Sequence, residues 1–221
     1  MTQGINFERH RNSGEITKKI HPNLRFEIRE YIFYFLKVFV LVAIVFTFIR
    51  TSVFYPTSVD GISMNPTLNQ NDIIYIDLFT SKFSDYKRGD VVIVRPPEIF
   101  ERTGELYIKR VIGLPGEKVG FDNGQVQIYN DNYPNGIVLN ESYITDDIQT
   151  FPGTSAQGTS QISNKLDSNE YYLMGDNRPN SVDSRSFGVV KKNLIIGKGF
   201  YQNSEKFEDK FIELPKYNIN N

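Results

Sequence analysis

A mostly β domain set behind one membrane-spanning helix is the fold class this sequence predicts. Three observations carry it: a nineteen-residue apolar run near the N-terminus, a series of short Ile-, Val- and Tyr-rich runs after it, and no helical amphipathic period among those runs.

The apolar run, residues 31–49, reads YIFYFLKVFVLVAIVFTFI. It spans about 28 Å at the usual ~1.5 Å helical rise, close to the hydrocarbon thickness of a bilayer. Lys37 is its one charge and lies two turns from the start, where a long side chain reaches the headgroups. A core helix would carry a polar stripe, and a cleaved secretory signal would end in small residues. This run has no stripe and continues into FIRTSVFYP. It therefore reads as an uncleaved anchor, with Phe54 and Tyr55 where an interfacial aromatic belt belongs. Arg9, Arg11, Lys18, Lys19, Arg25 and Arg29 precede it, whereas only Arg50 is basic between it and Lys82. The positive-inside rule then places residues 1–30 in the cytoplasm and residues 50–221 outside.

Past residue 56 the pattern changes to DIIYIDLF (72–79), DVVIVRP (90–96), ELYIKRVIG (105–113), QVQIYN (125–130), GIVLN (136–140), EYYLMG (170–175) and LIIGKGFY (194–201). Many short strands with irregular turns predict an antiparallel, mixed-sheet or partly closed barrel architecture. Asp122-Asn-Gly124 and Pro134-Asn-Gly136 read as hairpin turns, since Asn-Gly accepts positive φ. Residues 152–164, PGTSAQGTSQISN, have almost nothing to bury and read as a mobile surface loop. Together these features predict a β-rich subdomain inserted at about 118–170. The last twenty residues are polar apart from scattered aromatics and suggest no role.

Composition excludes several chemistries. With 39% apolar residues the chain supports one good-sized core, and a net charge of -1 with no basic run argues against nucleic-acid binding. The absence of Cys rules out thiol proteases, zinc-thiolate sites and disulfide frameworks. The two histidines, His10 and His21, both precede the anchor, so no His can serve a domain behind it. A hydrolase built there must take Lys, Tyr or a carboxylate as its base.

Three segments carry the chemistry. In Val59-Asp-Gly-Ile-Ser-Met-Asn-Pro-Thr-Leu68, a Ser sits in a turn bounded by Gly61 and Pro66, with an exposed hydroxyl and backbone N–H groups nearby. In Glu105-Leu-Tyr-Ile-Lys-Arg-Val-Ile-Gly-Leu-Pro-Gly-Glu117, strand alternation puts Tyr107, Lys109 and Val111 on one face and Ile108, Arg110 and Ile112 on the other. A lysine among apolar neighbours serves either to block an edge or, if desolvated, as a neutral amine base. The third, Met174-Gly-Asp-Asn-Arg-Pro-Asn-Ser-Val-Asp-Ser-Arg-Ser-Phe-Gly188, is a polar loop in which Asp183 can pair with Arg185 or Arg110.

In this order the segments resemble the boxes of bacterial type I signal peptidases: Ser-Met-x-Pro-Thr, then Lys-Arg-Val-x-Gly-x-Pro-Gly, then Gly-Asp-Asn followed by Ser-x-Asp-Ser-Arg. Gly89-Asp-Val-Val-Ile-Val94, another family box, lies between the first two. The resemblance runs from the anchor to about residue 200. It implies Ser63 as nucleophile and Lys109 as general base, with Ser181 orienting the lysine amine. Asp183 and Arg185 match the supporting ion pair, and Arg110 and Asp176 match the same neighbourhood. Val59, Met64, Leu68, Tyr107 and Ile108 match positions lining shallow apolar pockets for small side chains. The Ser63 N–H matches one oxyanion donor; where some relatives carry a second donor hydroxyl, this chain has Gly61.

The resemblance thus implies a single-pass plasma-membrane serine endopeptidase that removes signal peptides from exported preproteins, cutting after a small residue. Its catalytic domain is expected outside the cytoplasm, monomeric in the bilayer, with neither cofactor nor metal. A soluble self-cleaving Ser/Lys repressor-type protease is a rival that the anchor disfavours. A non-catalytic signal-peptide binder is a second rival, and it has no physical need of Ser63, Lys109 and Ser181 together.

Overall fold

The computed structural model describes residues 22–52, 54–79, 83–97, 104–145, 148–153, 161–204, 210–212 and 214–219. The basic residues from Arg9 to Lys19, both histidines and residues 154–160 of the polar loop lie outside them. The chain divides into a unit ending at Thr47 and a larger one beginning at Phe48.

The first described element is helix α1 (Pro22–Ser52). It starts on Pro22, whose missing N–H is no loss in a first turn. It runs further at both ends than the expected 31–49, because Glu27, Arg29 and Glu30 are good helix formers that extend it through the polar flank. Its segment Glu27–Phe48 is long and apolar enough to cross a membrane, and every side chain there is exposed. Lys37 Nζ lies 4.8 Å from the centre of the Phe33 ring one turn back.

The described residues of the larger unit form twelve strands: β1 (Phe54–Ser58), β2 (Ile73–Asp77), β3 (Val91–Val94), β4 (Tyr107–Gly113), β5 (Lys118–Asp122), β6 (Gln125–Asn130), β7 (Tyr133–Val138), β8 (Gln161–Ile162), β9 (Glu170–Met174), β10 (Val190–Lys191), β11 (Ile195–Asn203) and β12 (Lys210–Phe211). One sheet has the order β1-β2-β11-β3-β4-β9-β10, with β12 on β11; the other is β7-β6-β5-β8. Every pairing among the described strands is antiparallel, so the expected β class holds without a parallel pair. Among the described residues after β1, helical structure is confined to short pieces, including the one-turn α2 (Ser184–Phe187) and the 3-10 turns Arg178–Asn180 and Lys192–Leu194.

Burial follows the pleat. In β2 and β6 alternate residues point inward, Ile74 and Ile76 in one and Val126 and Ile128 in the other. All four residues of β3 are buried, because β11 and β4 flank it and both of its faces are covered. Three apolar clusters result. One gathers Val59, Met64 and Leu68 against β2 and β3. A second joins Val92, Val94, Val111, Tyr171 and Leu173. The third fills the space behind the second sheet with Val119, Phe121, Val126, Ile128 and Leu139. Ile219 is buried in that third cluster, and Asn218 Nδ2 donates to the Val138 carbonyl at 2.9 Å, so part of the C-terminal tail is packed.

Two turn expectations part ways. Asn123 (φ 49) and Gly124 (φ 77) do form the β5–β6 hairpin turn. Pro134-Asn-Gly136, by contrast, lies inside β7, and the β6–β7 turn falls at Asp131-Asn132. The positive φ of Gly136 serves a bulge, where a Cβ would meet the Tyr129 ring at 2.6 Å. The polar loop also ends differently from expectation, since Gln161–Ile162 pairs with β5.

Candidate active site

The turn after β1 is tied at its base by Val59 N donating to Asp72 O (2.8 Å) and Asn71 N donating to Val59 O (2.9 Å). Gly61, at φ 92, takes a left-handed conformation that a side chain would strain. Met64 and Leu68 drop into the first apolar cluster and anchor the turn, leaving Ser63 between them and exposed Ile62. The third segment grips the same turn: Asn177 N donates to Ser63 O (3.0 Å) and Asn177 Nδ2 to Ile62 O (3.1 Å). Gly175 lies so close that a Cβ there would stand 2.4 Å from Ser63 O and 2.2 Å from Ser181 Oγ.

Lys109 comes from β4, opposite Val92 of β3. Strand alternation sends Tyr107 and Val111 to its side of the sheet, into the second cluster, and Ile108 and Ile112 to other clusters. The lysine is 3% exposed, and its Nζ donates to Ser63 Oγ at 2.8 Å. Burial pushes its pKa down to about 8; Asp183 and Asp176 oppose the shift and Arg185 assists it. Relative to the ordinary value of 10.5, that is about 3 kcal/mol of preference for the neutral amine. A neutral amine at this distance can take the hydroxyl proton of Ser63.

Buried ion pairs surround the two residues. Arg110 grips Asp176 with Nε to Oδ1 (2.8 Å) and Nη2 to Oδ2 (2.6 Å), and its Nη1 donates to Gly89 O (2.8 Å). Arg185 grips Asp183 in the same forked way, at 2.8 and 2.7 Å. Asp183 also caps α2 and accepts from Gly175 N (3.0 Å). Burial alone would raise the pKa of that carboxyl, but the bonds and charge of Arg185, the Gly175 N–H and Ser181 hold it below the usual range.

The structure therefore brings Ser63, Lys109, Arg110, Asp176, Ser181, Asp183 and Arg185 into one neighbourhood. Two expectations come out differently. Ser181 Oγ is buried beside Gly175 and close to Asp183, but it makes no hydrogen bond to Lys109; the lysine amine bonds to Ser63. The apolar five are divided between two clusters. Val59, Met64 and Leu68 are core, Ile108 sits half-buried at the margin of their cluster, and Tyr107 belongs to the second cluster with its ring 5.3 Å from Lys109 Nζ.

Sequence reasoning missed Gly175, Asn177 and Arg178, although all three lie in the polar loop it singled out. It also missed Glu141 and Tyr143, which reach Arg178 from 37 and 35 residues away. Nothing in a single sequence signals such long-range pairs.

Residues 32–202 match the family model described as signal peptidase, peptidase S26. Signal peptidase I P of Bacillus subtilis subsp. natto is 35% identical over 162 residues, covering 72% of this chain and 82% of that protein. Signal peptidase IB of Staphylococcus aureus strain COL is 32% identical over 181 residues, covering 78% of this chain and 87% of that protein. A crystal structure of a signal peptidase I from Enterococcus faecalis V583 aligns at 28% identity and a TM-score of 0.39, over 52% of this chain and 97% of that one. The family match and both curated relatives extend over most of the chain, which therefore belongs to the signal peptidase I family of S26 serine peptidases, the enzymes that remove signal peptides from preproteins.

Proposed function

We propose that Ser63 is the nucleophile and Lys109 the general base of this signal peptidase, and the observation that carries the proposal is the 2.8 Å contact between Ser63 Oγ and a buried Lys109 Nζ. Neutral Lys109 takes the Ser63 proton as Oγ attacks the scissile carbonyl. The resulting ammonium returns the proton to the leaving amine, giving an acyl-enzyme and freeing the mature N-terminus. A water that Lys109 deprotonates then attacks the ester, and Ser63 recovers its proton. The Ser63 N–H is one oxyanion donor; Gly61 offers no side-chain donor two residues earlier.

Cleavage follows a small residue, as the resemblance to the family implies. Ile108 and Tyr107 provide contact, and Val59, Met64 and Leu68 form a floor that is already filled. Arg110, Asp176, Asp183, Arg185 and Ser181 hold the loop that frames the dyad. The enzyme is single-pass, with residues 1–30 cytoplasmic, 31–49 as anchor and 50–221 outside the plasma membrane, where a subdomain at about 118–170 interrupts the catalytic fold. It acts as a monomer.

The test is incubation of purified full-length protein with a preprotein, followed by sequencing of the new N-terminus. Ser63→Ala and Lys109→Ala should each abolish cleavage while leaving the protein folded. Near wild-type cleavage by either variant sinks the dyad. Protease added outside intact protoplasts should degrade residues beyond 50 and spare the first thirty; a protected β domain would show the orientation to be inverted.

A further inference from the structure

The loop that carries Gly175, Asp176 and Asp183 is held from a second direction, by residues outside the chemistry-bearing segments. Arg178 is 2% exposed, and its guanidinium is fully engaged. Nε donates to Gly175 O (3.1 Å), Nη1 to Glu141 Oε2 (2.8 Å) and Thr150 Oγ1 (2.8 Å), and Nη2 to Glu141 Oε1 and to the Tyr143 hydroxyl (3.1 Å). The Arg178 carbonyl in turn accepts from Arg185 Nη2 at 2.7 Å. Tyr143 donates its hydroxyl to Glu141, and its ring lies under the Arg110 guanidinium, 4.0 Å away.

Glu141, Tyr143 and Thr150 belong to the segment that follows β7. That segment is fixed to the second sheet by Leu139 N donating to Val126 O (2.8 Å) and Thr150 N donating to Gly124 O (2.7 Å). The second sheet thus reaches the loop through Glu141, Thr150 and Tyr143, all bonded to Arg178, and of these only Glu141 is charged. On the far side of the loop, Gly175 abuts Ser63 O and Ser181 Oγ with no room for a methyl group.

We propose that Glu141 is a positioning residue for catalysis: by fixing Arg178 it presses the 175–185 loop against the Ser63 turn and so sets the approach of Ser63 to Lys109. The proposal rests on the Ser63/Lys109 reading. It also gives the second sheet a task in the reaction, as the rigid body against which the loop is held. A bidentate pair with little exposed surface is suited to that task, because its geometry is fixed by two parallel hydrogen bonds. Small displacements matter here, since misplacing reacting groups by about 1 Å lowers rates by about a hundredfold.

A buried pair that served stability alone would lower the melting temperature and leave the kinetics of the folded fraction unchanged. The test therefore compares Glu141→Gln, Glu141→Asp and Tyr143→Phe in the full-length protein in detergent micelles, with kcat and KM measured against pH and the folded fraction counted by acylation of Ser63. Glu141→Gln keeps the shape of the side chain and loses its charge. It should lower kcat per folded molecule about tenfold, with KM within about twofold. It should also move the acidic limb of kcat/KM upward by roughly half a pH unit, because a loosened loop lets water reach the Lys109 amine among Asp183, Asp176 and Arg185. Tyr143→Phe should show a smaller effect of the same sign, and Glu141→Asp, which keeps the charge, should recover most of kcat. Unchanged kcat and pH limb in Glu141→Gln, with only the melting temperature lowered, overturns the positioning role and leaves the dyad standing. An active Lys109→Ala overturns both.

Discussion

The sharpest consequence of a buried Lys109 is a pH profile set by an amine. With the limb centred near pH 8, about half of the enzyme carries neutral Lys109 at pH 8, roughly a tenth at pH 7 and about one per cent at pH 6. kcat/KM for a signal-peptide substrate in micelles should therefore fall about tenfold per unit below pH 8. The same shift appears in stability, and its sign follows from proton counting. Below about 8 both the folded and the unfolded chain hold the proton. Between about 8 and 10.5 the unfolded chain holds more, so stability rises with pH across that window, by about 3 kcal/mol in all. Lys109→Met should lack that rise, which urea titrations of both proteins at about pH 7.5 and about pH 10 would measure as a difference. A kcat/KM profile flat between about pH 5 and 9, or identical pH dependence of stability in the two proteins, refutes the desolvated-lysine account.

The ion pair beside the lysine should tune the same limb in both directions. Arg185→Gln removes a cation that lowers the Lys109 pKa and should move the limb upward, whereas Asp183→Asn removes an anion that raises it and should move the limb downward. Shifts of the same sign in both variants would show that loop collapse, not charge, controls the lysine. Gly175→Ala should cost about 1–3 kcal/mol of stability and at least about tenfold in kcat, since its new methyl meets a backbone oxygen of Ser63 that cannot rotate aside; wild-type kcat and melting temperature would contradict the close approach. Leu68→Ala empties a fully buried site under the Ser63 turn and should destabilise the domain by about 2–5 kcal/mol in chemical denaturation, against less than about 1 kcal/mol if the turn stands without that anchor.

What could be read from the sequence was whatever local pattern controls. The apolar run, the alternation in β2 and β6 and the four-residue apolar stretch of β3 each reflect burial along a single element. β1 escaped because Pro56 argues against a strand, and it is tolerated here only because β1 lies at the sheet edge. β5 escaped because only Val119 and Phe121 mark it, separated by a Gly120 that makes room for the Tyr129 ring. Asn-Gly was read correctly at 123–124 and wrongly at 135–136, since the dipeptide signals positive φ and not which structure uses it. At the site, motif order located Ser63, Lys109 and the loop residues, but which hydroxyl the lysine bonds is decided by packing of that loop. The partners of Arg178 are likewise set by the placement of the second sheet.

The arrangement of charge around Lys109 explains how a lysine stays poised for neutrality between two aspartates. An unpaired carboxylate at its side would hold the amine protonated and make Lys109 an ordinary structural cation. Here Asp176 is gripped at both oxygens by Arg110, and Asp183 by Arg185. Glu141 is held by Arg178 and Glu117 by Arg88. Among the described residues no ion pair includes Lys109, whose nearest polar partner is a neutral hydroxyl. Each of these four carboxylates is thus neutralised by its own guanidinium, whose charge never titrates in the working range. Burying four such pairs adds little to stability, because desolvation offsets most of their attraction. Their effect is to weaken the pull of Asp183 and Asp176 on the amine, so that burial outweighs it and sets the direction of the shift. Replacing any one of these arginines with a neutral residue should then act on Lys109 in proportion to its partner's proximity, strongly for Arg185 and Arg110 and weakly for Arg88, whose Glu117 lies beyond the end of β4.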